Sequence, residues 1–466
     1  MKKLNKKIKI GNKDISISLP DFADILTTAT TEKIMDPGST LRKKLLHPKG
    51  SKSLPWIVQS KIDKNPDSKA VIVISDNTRP IPYKGSNGIL WPIIDILLKE
   101  GVKKENIVIL IANGTHHALP YSILTDMLDS RIFEEGILIV NHKYTDNSSL
   151  RYIGNTSRGA KIYINNLYLE SDIKILTGLV ESHFMAGVSG GRKSVCPGLV
   201  GRETIYSFHS PLMLNNRNAR DLKLKGNPCH EEATEILERV GSDFTVNVTL
   251  NKDYQINGVY AGNYKEILTE AYKKLKKESS IFINKEYDII ITHAGRVGIN
   301  HYQAAKAAIV SLPALKKEGH LILFADNIDE DPVGSTGYKS VLYLLKILGA
   351  KKFNQLLLSS SWKLIHDQWQ VQMWSRVFKK IPLENLIYYS PQLTENDFAG
   401  IPCRDGNDFI PVKSRYKFAY ENISTFVNNC LTQLMHCKND KGNQNVNIAF
   451  LSDGPCGILL KDKNSL

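Results

Sequence analysis

Four short polar clusters each stand directly behind an apolar run of strand length. Asp76, Asn77, Thr78, Arg79 and Pro80 follow residues 71–75, and Asn113, Gly114, Thr115, His116 and His117 follow residues 106–112. Glu181, Ser182 and His183 follow residues 173–180, and His293, Ala294, Gly295 and Arg296 follow residues 288–292. Histidine is the side chain that exchanges protons near neutrality, and arginine grips carboxylates and phosphates. The richest stretch, residues 181–194, adds Gly187, Gly190 and Gly191 ahead of Arg192, Lys193 and Ser194. Glycines before a helical segment expose main-chain N–H groups to an anion. Arg79, Arg192, Lys193 and Lys306 would make a cationic pocket, while His116, His117, His183 and His209 would supply acid–base groups and a metal ligand. Such a set suits an anionic substrate that must lose and regain a proton.

Each cluster also has a plain structural reading. Residues 76–80 make a reasonable turn, Thr115 a reasonable helix cap, and residues 187–191 a tight turn carrying two surface cations. The recurrence of the pattern behind four strands is what favours a site. A phosphate-binding loop of the kinase or NTPase kind needs Gly directly before its Lys. Arg192 occupies that place, so an NTPase is the weaker alternative, and a non-catalytic cofactor carrier is another.

The elements that must position these residues alternate strand-length apolar runs with amphipathic segments. Strands are predicted at 71–74, 106–111, 136–140 and 173–180, with helices at 89–99 and 119–128. The grammar restarts with a strand at 287–291, a helix at 301–317 and a strand at 320–324. This predicts an α/β chain with mostly parallel sheets, in which ligands gather beyond the carboxyl ends of the strands. The expected domains are 1–282, binding the cofactor, and 283–400, with the lysine-rich stretch 273–278 as hinge. A tail, 401–466, holds a loop at 398–415, a helix at 420–435, a polar linker at 438–445 and a strand at 447–451. It is expected to pack back on the first domain, although it could join either.

The chain has 466 residues, 42% hydrophobic and 23% charged, which fits two or three folded domains at ~150 residues each. No apolar run reaches the ~18 residues of a membrane span. The basic start runs into residues 8–17, interrupted by Gly11, Asn12, Lys13 and Asp14, which is not a signal-peptide core. A cytoplasmic location without membrane partners is expected. The net charge of +14 comes from scattered lysines with no aromatic-laced stripe, which argues against nucleic acid. Six cysteines without a Cys-x-x-Cys pair argue for free thiols, leaving histidine as the likelier metal ligand.

Residues 182–193 resemble the signature of the nickel-dependent lactate racemase family. So do Asp76 to Pro80, the run Gly114, Thr115 and His116, residues 300–306, and the group Asp367, Gln368 and Trp369, all in the family's order. The resemblance implies two α/β domains with the active site in the cleft between them, and racemisation or epimerisation of a small 2-hydroxy acid by hydride transfer through a 2-keto acid. The implied cofactor is a nickel-pincer nucleotide, pyridinium-3,5-bisthiocarboxylic acid mononucleotide nickel, bound covalently to Lys193, with His209 on the metal. Asp76, Thr78, Gly190 and Gly191 would hold the nucleotide. His116 and His183 would be the acid–base pair, with His116 preferred over its neighbour His117. Arg79 would clamp the carboxylate, and Tyr302, Gln303, Lys306 and Trp369 would line the substrate. Proteins that build the cofactor are possible partners.

Overall fold

A computed structural model describes residues 3–10, 13–440 and 446–461. The polar linker expected at 438–445 therefore lies outside the described residues from position 441 onward. The chain divides into two compact units, Thr30–Glu278, and Met1–Ala29 together with Ser279–Leu466.

The first unit is built on six strands in the order Ile256–Gly262, Phe244–Leu250, Ile173–Leu179, Ala70–Ser75, Ile107–Ala112 and Leu138–Asn141. All neighbours are parallel except the edge pair 244–250 and 256–262. The central strands 70–75 and 107–112 are near-continuous apolar runs because both faces are covered. One face (Ile72, Ile74, Ile109, Ile111, Ile175, Val246) meets Leu41, Val58, Ile93 and Leu97 from the helices Pro37–Leu46, Leu54–Ile62 and Trp91–Lys99. From the central strand 70–75 the chain winds outward to 107–112 and 138–141, then returns to 173–179 on the other side. The carboxyl ends of strands 70–75 and 173–179 therefore flank a topological switch point, the usual ligand crevice of an open parallel sheet.

The second unit carries six parallel strands in the order Arg404–Asp405, Leu386–Tyr389, Leu315–Phe324, Tyr287–His293, Ile448–Leu451 and Asp24–Leu26. Four expectations are corrected here. The tail does not return to the first unit: its helix Glu421–Asp440 drives Phe426, Val427 and Cys430 into the core under Ile289, Ile291 and Phe324. The first 29 residues also belong here, through strand 24–26 and the hairpin Lys3–Ile10 with Lys13–Pro20, whose Ile8, Ile15 and Ile17 join the same core. The expected hinge at 273–278 is the last part of helix Tyr264–Ser279, where Lys274 pairs with Glu278 one turn on. The helix expected over 301–317 ends at Ser311, because Pro313 bars continuation, and residues 315–324 form a strand instead.

His301 opens that helix and is completely buried, stacked on Trp374 at 4.6 Å between ring centres. Trp374 Nε1 donates to the Tyr338 hydroxyl (2.9 Å), which leaves that hydroxyl to donate to His301 Nδ1 at 2.8 Å. Burial pushes the imidazole from 6.5 down to about 3. The unfolded chain thus binds a proton that the folded one refuses, so stability is complete above about pH 6.5 and declines as pH falls toward 3. Each unit of acidification in that window costs up to ~1.4 kcal/mol at this residue. His301→Phe is expected to flatten the acid limb of a urea-denaturation profile while lowering neutral stability by about 1 kcal/mol through the orphaned Tyr338 hydroxyl. An unchanged acid limb would dissociate His301 from it.

Candidate active site

The two strands flanking the switch point are tied together at their ends. Ser75 N–H donates to the Tyr83 hydroxyl (2.9 Å), Tyr83 donates to Thr177 Oγ1 (3.0 Å), and Thr177 donates to the Val73 carbonyl (2.8 Å). Tyr83 and Thr177 are both buried, so this relay has little competition from water. Sequence reasoning passed over both residues, since a tyrosine in a loop and a threonine in a strand carry no distinguishing signal.

Asp76 follows directly and is buried. Its Oδ1 accepts from the Thr78 hydroxyl (2.5 Å) and main-chain N–H (3.2 Å), and its Oδ2 lies 2.5 Å from His116 Nδ1. Burial opposes ionisation of Asp76, but His116, Thr78 and Arg79 together outweigh it and hold the carboxyl below its usual range. The atoms of Asp76 and Thr78 expected against a nucleotide are thus engaged within the loop itself. Of the adjacent histidines, His116 is the one on this carboxylate, while the carbonyl of His117 accepts from Asn113. No helix begins at Thr115; the next starts at Tyr121.

Arg79, from the same turn, reaches across the crevice to Glu181, with Nε 3.0 Å from Oε1. The pair links the loops behind strands 70–75 and 173–179. Two residues on, His183 Nδ1 accepts from the main-chain N–H groups of Met185 and Ala186, each at 3.2 Å.

The Gly-rich segment differs from the expectation of an open anion cradle. Gly191 N–H donates to Asn247 Oδ1 (3.0 Å), a partner supplied by the edge strand and not foreseen from sequence. A Cβ on Gly178 would lie 2.7 Å from Gly191 N, so strand and helix touch through two glycines. Arg192 does not join a cationic pocket. It is buried, and its terminal nitrogens donate to the carbonyls of Ala186 (3.4 Å), Val188 (2.9 Å) and Ser189 (3.1 Å). In the helix Gly191–Val195 every other residue is buried, and Lys193 alone is partly exposed.

His209 closes the helix Arg202–Phe208 and donates from Nδ1 to the Ile205 carbonyl at 3.0 Å. That bond fixes the tautomer and leaves Nε2 as the donor nitrogen, the arrangement usual for a metal-bound imidazole. Among the described residues, no three His, Cys, Asp or Glu side chains converge on one point.

In the second unit, Asn300 caps the helix His301–Ser311 through Gln303 N–H (2.9 Å). Tyr302, Gln303 and Lys306 share its partly exposed side. The Tyr302 hydroxyl accepts from Trp369 Nε1 (2.7 Å), and its carbonyl from Gln370 Nε2 (2.6 Å), so Tyr302 and Trp369 are brought together. His293, in the fourth polar cluster, has a structural role: Nδ1 accepts from Gly295 N–H (3.2 Å) and Nε2 donates to the Ser452 carbonyl (2.9 Å).

Comparison with known proteins matches the family model of the lactate racemase N-terminal domain to residues 10–221. A lactate racemase from Lactiplantibacillus plantarum is 31% identical over 352 residues, 75% of this chain and 79% of that protein. The chain belongs to the lactate racemase family. A second lactate racemase, from Thermoanaerobacterium thermosaccharolyticum, is 27% identical over 379 residues, covering 80% of this chain and 85% of its own. The fold follows the lactate racemase apoprotein from that organism with a TM-score of 0.81 at 23% identity, over 98% of this chain and all of that one. A Thermotoga maritima protein shares the fold at a TM-score of 0.61 and 16% identity, over 92% of this chain and all of that one. Membership in the lactate racemase family makes the chain an isomerase-type enzyme, and the α/β class with mostly parallel sheets agrees with the sequence-based expectation. The matched segment contains Asp76, Arg79, His116, His183, Lys193 and His209. No helix among the described residues is long and apolar enough to cross a membrane.

Proposed function

We propose that this enzyme interconverts the two hands of a small 2-hydroxy acid, lactate or a close relative, with a nickel-pincer nucleotide held covalently on Lys193. The observation that carries this reading is a single turn, residues 76–79, which ends in a guanidinium and also holds His116 by its Nδ1. A carboxylate receptor and a proton acceptor at one switch point are what a 2-hydroxy acid requires. The bound cofactor would supply a hydride acceptor and donor, which suits a substrate whose Cα–H is too weakly acidic for an imidazole to remove. Its donor chemistry fits the residues present, since Lys193 offers an amine at the one accessible place in its helix and His209 offers Nε2 to nickel.

The chain's own residues do the remaining work. Arg79 uses Nε toward Glu181, which leaves the terminal edge of its fork for the substrate carboxylate. His116 takes the hydroxyl proton at Nε2 while Asp76 stabilises the imidazolium that forms. His183 is the second acid–base group, serving the other hand of the substrate, and Tyr302, Gln303, Lys306 and Trp369 are assigned to the substrate lining. The alternatives lose ground on specific contacts. A phosphate cradle lacks the Gly191 N–H, taken by Asn247, and the Arg192 guanidinium, turned onto carbonyls. A storage protein has no need of an Asp-backed histidine.

The test is polarimetry of cofactor-loaded protein on single-enantiomer 2-hydroxy acids in deuterated water. Rotation is expected to decay to zero for lactate without deuterium entering Cα; incorporation at Cα would overturn hydride return. Arg79→Ala is expected to raise KM by about 10- to 100-fold, as befits the loss of a charged hydrogen bond to the carboxylate. Unchanged KM would remove Arg79 from that role.

A further inference from the structure

The parallel pairing of strands 70–75 and 173–179 stops at Val73 and Leu176, although both strands run on. Beyond that point the Ser75 N–H donates to the Tyr83 hydroxyl (2.9 Å), and the hydroxyl donates to Thr177 Oγ1 (3.0 Å). Thr177 has one hydrogen, spent on the Val73 carbonyl, so the direction of each bond is fixed. A phenol thus stands where the main-chain ladder between these strands ends. Tyr83 is fully buried, and burial pushes its hydroxyl up to about 12, so it keeps its hydrogen at any working pH.

The same hydroxyl shuts a loop. The stretch between Ser75 and Tyr83 carries Asp76, Thr78 and Arg79. Its tip is rigid in itself, with Asp76 Oδ1 on Thr78 and the Arg79 N–H donating to the Asp76 carbonyl (3.3 Å). Where that tip sits on the sheet is fixed at its two ends, by Ser75 and Tyr83. Thr177 carries the fixing across to the lysine helix, because its carbonyl accepts from Ser194 Oγ (3.0 Å), one residue past Lys193. On the other side the Gly198 N–H donates to the Lys193 carbonyl (3.2 Å), and the Gly198 carbonyl accepts from Gly114 N–H (3.0 Å) in the loop of His116. A Cβ on Gly198 would lie 2.7 Å from Ala112 Cβ, so these segments meet main chain to main chain. The contact of Asp76 with His116 closes the frame, all of it inside the first unit.

We propose that Tyr83 is a positioning residue of the reaction: its hydroxyl seats the turn of Asp76 and Arg79, and with it His116, against the helix that carries Lys193. This rests on the racemase reading of those four residues. Tyr83 exchanges no proton and acts only through Ser75 and Thr177. A substrate gripped by Arg79 travels with the turn, whereas the tethered group travels with the lysine helix. Binding therefore survives a shift between the two, but the alignment of Cα–H with the tethered group does not. A misplacement of about 1 Å is enough to cost ~10²-fold in rate.

Tyr83→Phe keeps the ring and removes both bonds. Tyr168→Phe is the control: Tyr168 is also fully buried in this unit, and its hydroxyl donates to the Gly241 carbonyl (2.5 Å) near the amino ends of strands 173–179 and 244–250. In cofactor-free protein the low-field 1H line of the His116 Nδ1–H bond to Asp76, assigned by its loss in H116Q, is expected to broaden or move upfield in Y83F and to stay in place in Y168F. In the loaded enzyme Y83F is expected to lose ~10- to 100-fold in kcat, with KM within about 3-fold of wild type and the full adduct mass on Lys193. Y168F is expected to lose thermal stability and keep its kcat. Thr177→Val deletes the acceptor of the Tyr83 bond at nearly constant shape; it is expected to repeat the Y83F pattern more weakly, and it carries the test if Y83F does not fold. A wild-type low-field line in Y83F and T177V, or an equal kcat loss in Y168F, would overturn the positioning role. The line is read without cofactor or substrate, so its failure leaves the racemase reading standing, whereas a loaded wild type inert on every hydroxy acid defeats that reading and leaves the seating seen in the line.

Discussion

Lys193→Arg is expected to reduce racemisation to background and to leave the intact mass of cofactor-exposed protein at that of the bare chain. The argument starts from the helix Gly191–Val195, where Gly191, Arg192, Ser194 and Val195 are all buried. Their fixings are independent of the lysine side chain: Gly191 N–H is on Asn247, Arg192 on three carbonyls, and Ser194 Oγ on the Thr177 carbonyl at 3.0 Å. Only the Lys193 side chain is partly accessible, and arginine keeps its charge, so the exchange leaves these fixings in place. Arginine preserves the positive charge but lacks the primary amine a thioamide tether needs. A role confined to attracting anions would survive the exchange, whereas a covalent role would not. A Lys193→Arg protein retaining half its activity, or still carrying the adduct, would overturn the anchoring assignment.

The strands and the loops behind them were legible because a parallel strand covered on both faces must be an unbroken apolar run, and its end is marked where polarity returns. That rule puts Asp76, Arg79, His116 and His183 in loops behind neighbouring strands of one sheet. Pairing at long range was not legible. Residues 24–26 lie beside 448–451, and nothing local to either segment announces the other. The direction of a long side chain was equally hidden. Arg192 reads as one of two adjacent cations, yet the carbonyls that turn it inward exist only once residues 186–189 have folded. His293 matched the same strand-end pattern as His183, and only its contacts with Gly295 and Ser452 assign it to structure. One miss was avoidable: Pro313 stood inside the helix drawn over 301–317, and its missing N–H and ring bulk end a helix.

Asp76→Asn is expected to lower kcat by ~10²- to 10⁴-fold with little change in KM, matching His116→Ala in size. The split follows from where the residues stand: Arg79, not this pair, receives the substrate carboxylate, so binding persists when proton transfer fails. Asparagine has two ways to sit against His116. With its NH₂ toward Nδ1 it would force the hydrogen onto Nε2 and abolish the acceptor. With its oxygen toward Nδ1 it keeps the tautomer but no longer offers a charge to the imidazolium that forms during transfer. Thr78 favours the first arrangement, since its main-chain N–H can only donate and needs the amide oxygen facing it, while its hydroxyl can serve either. Because Asp76 acts through His116, the double variant should be no slower than His116→Ala alone, a non-additivity that two independent contributions would not produce. If the two losses multiply instead, Asp76 has a separate part in the reaction, and the nucleotide contact first expected of it becomes the better account.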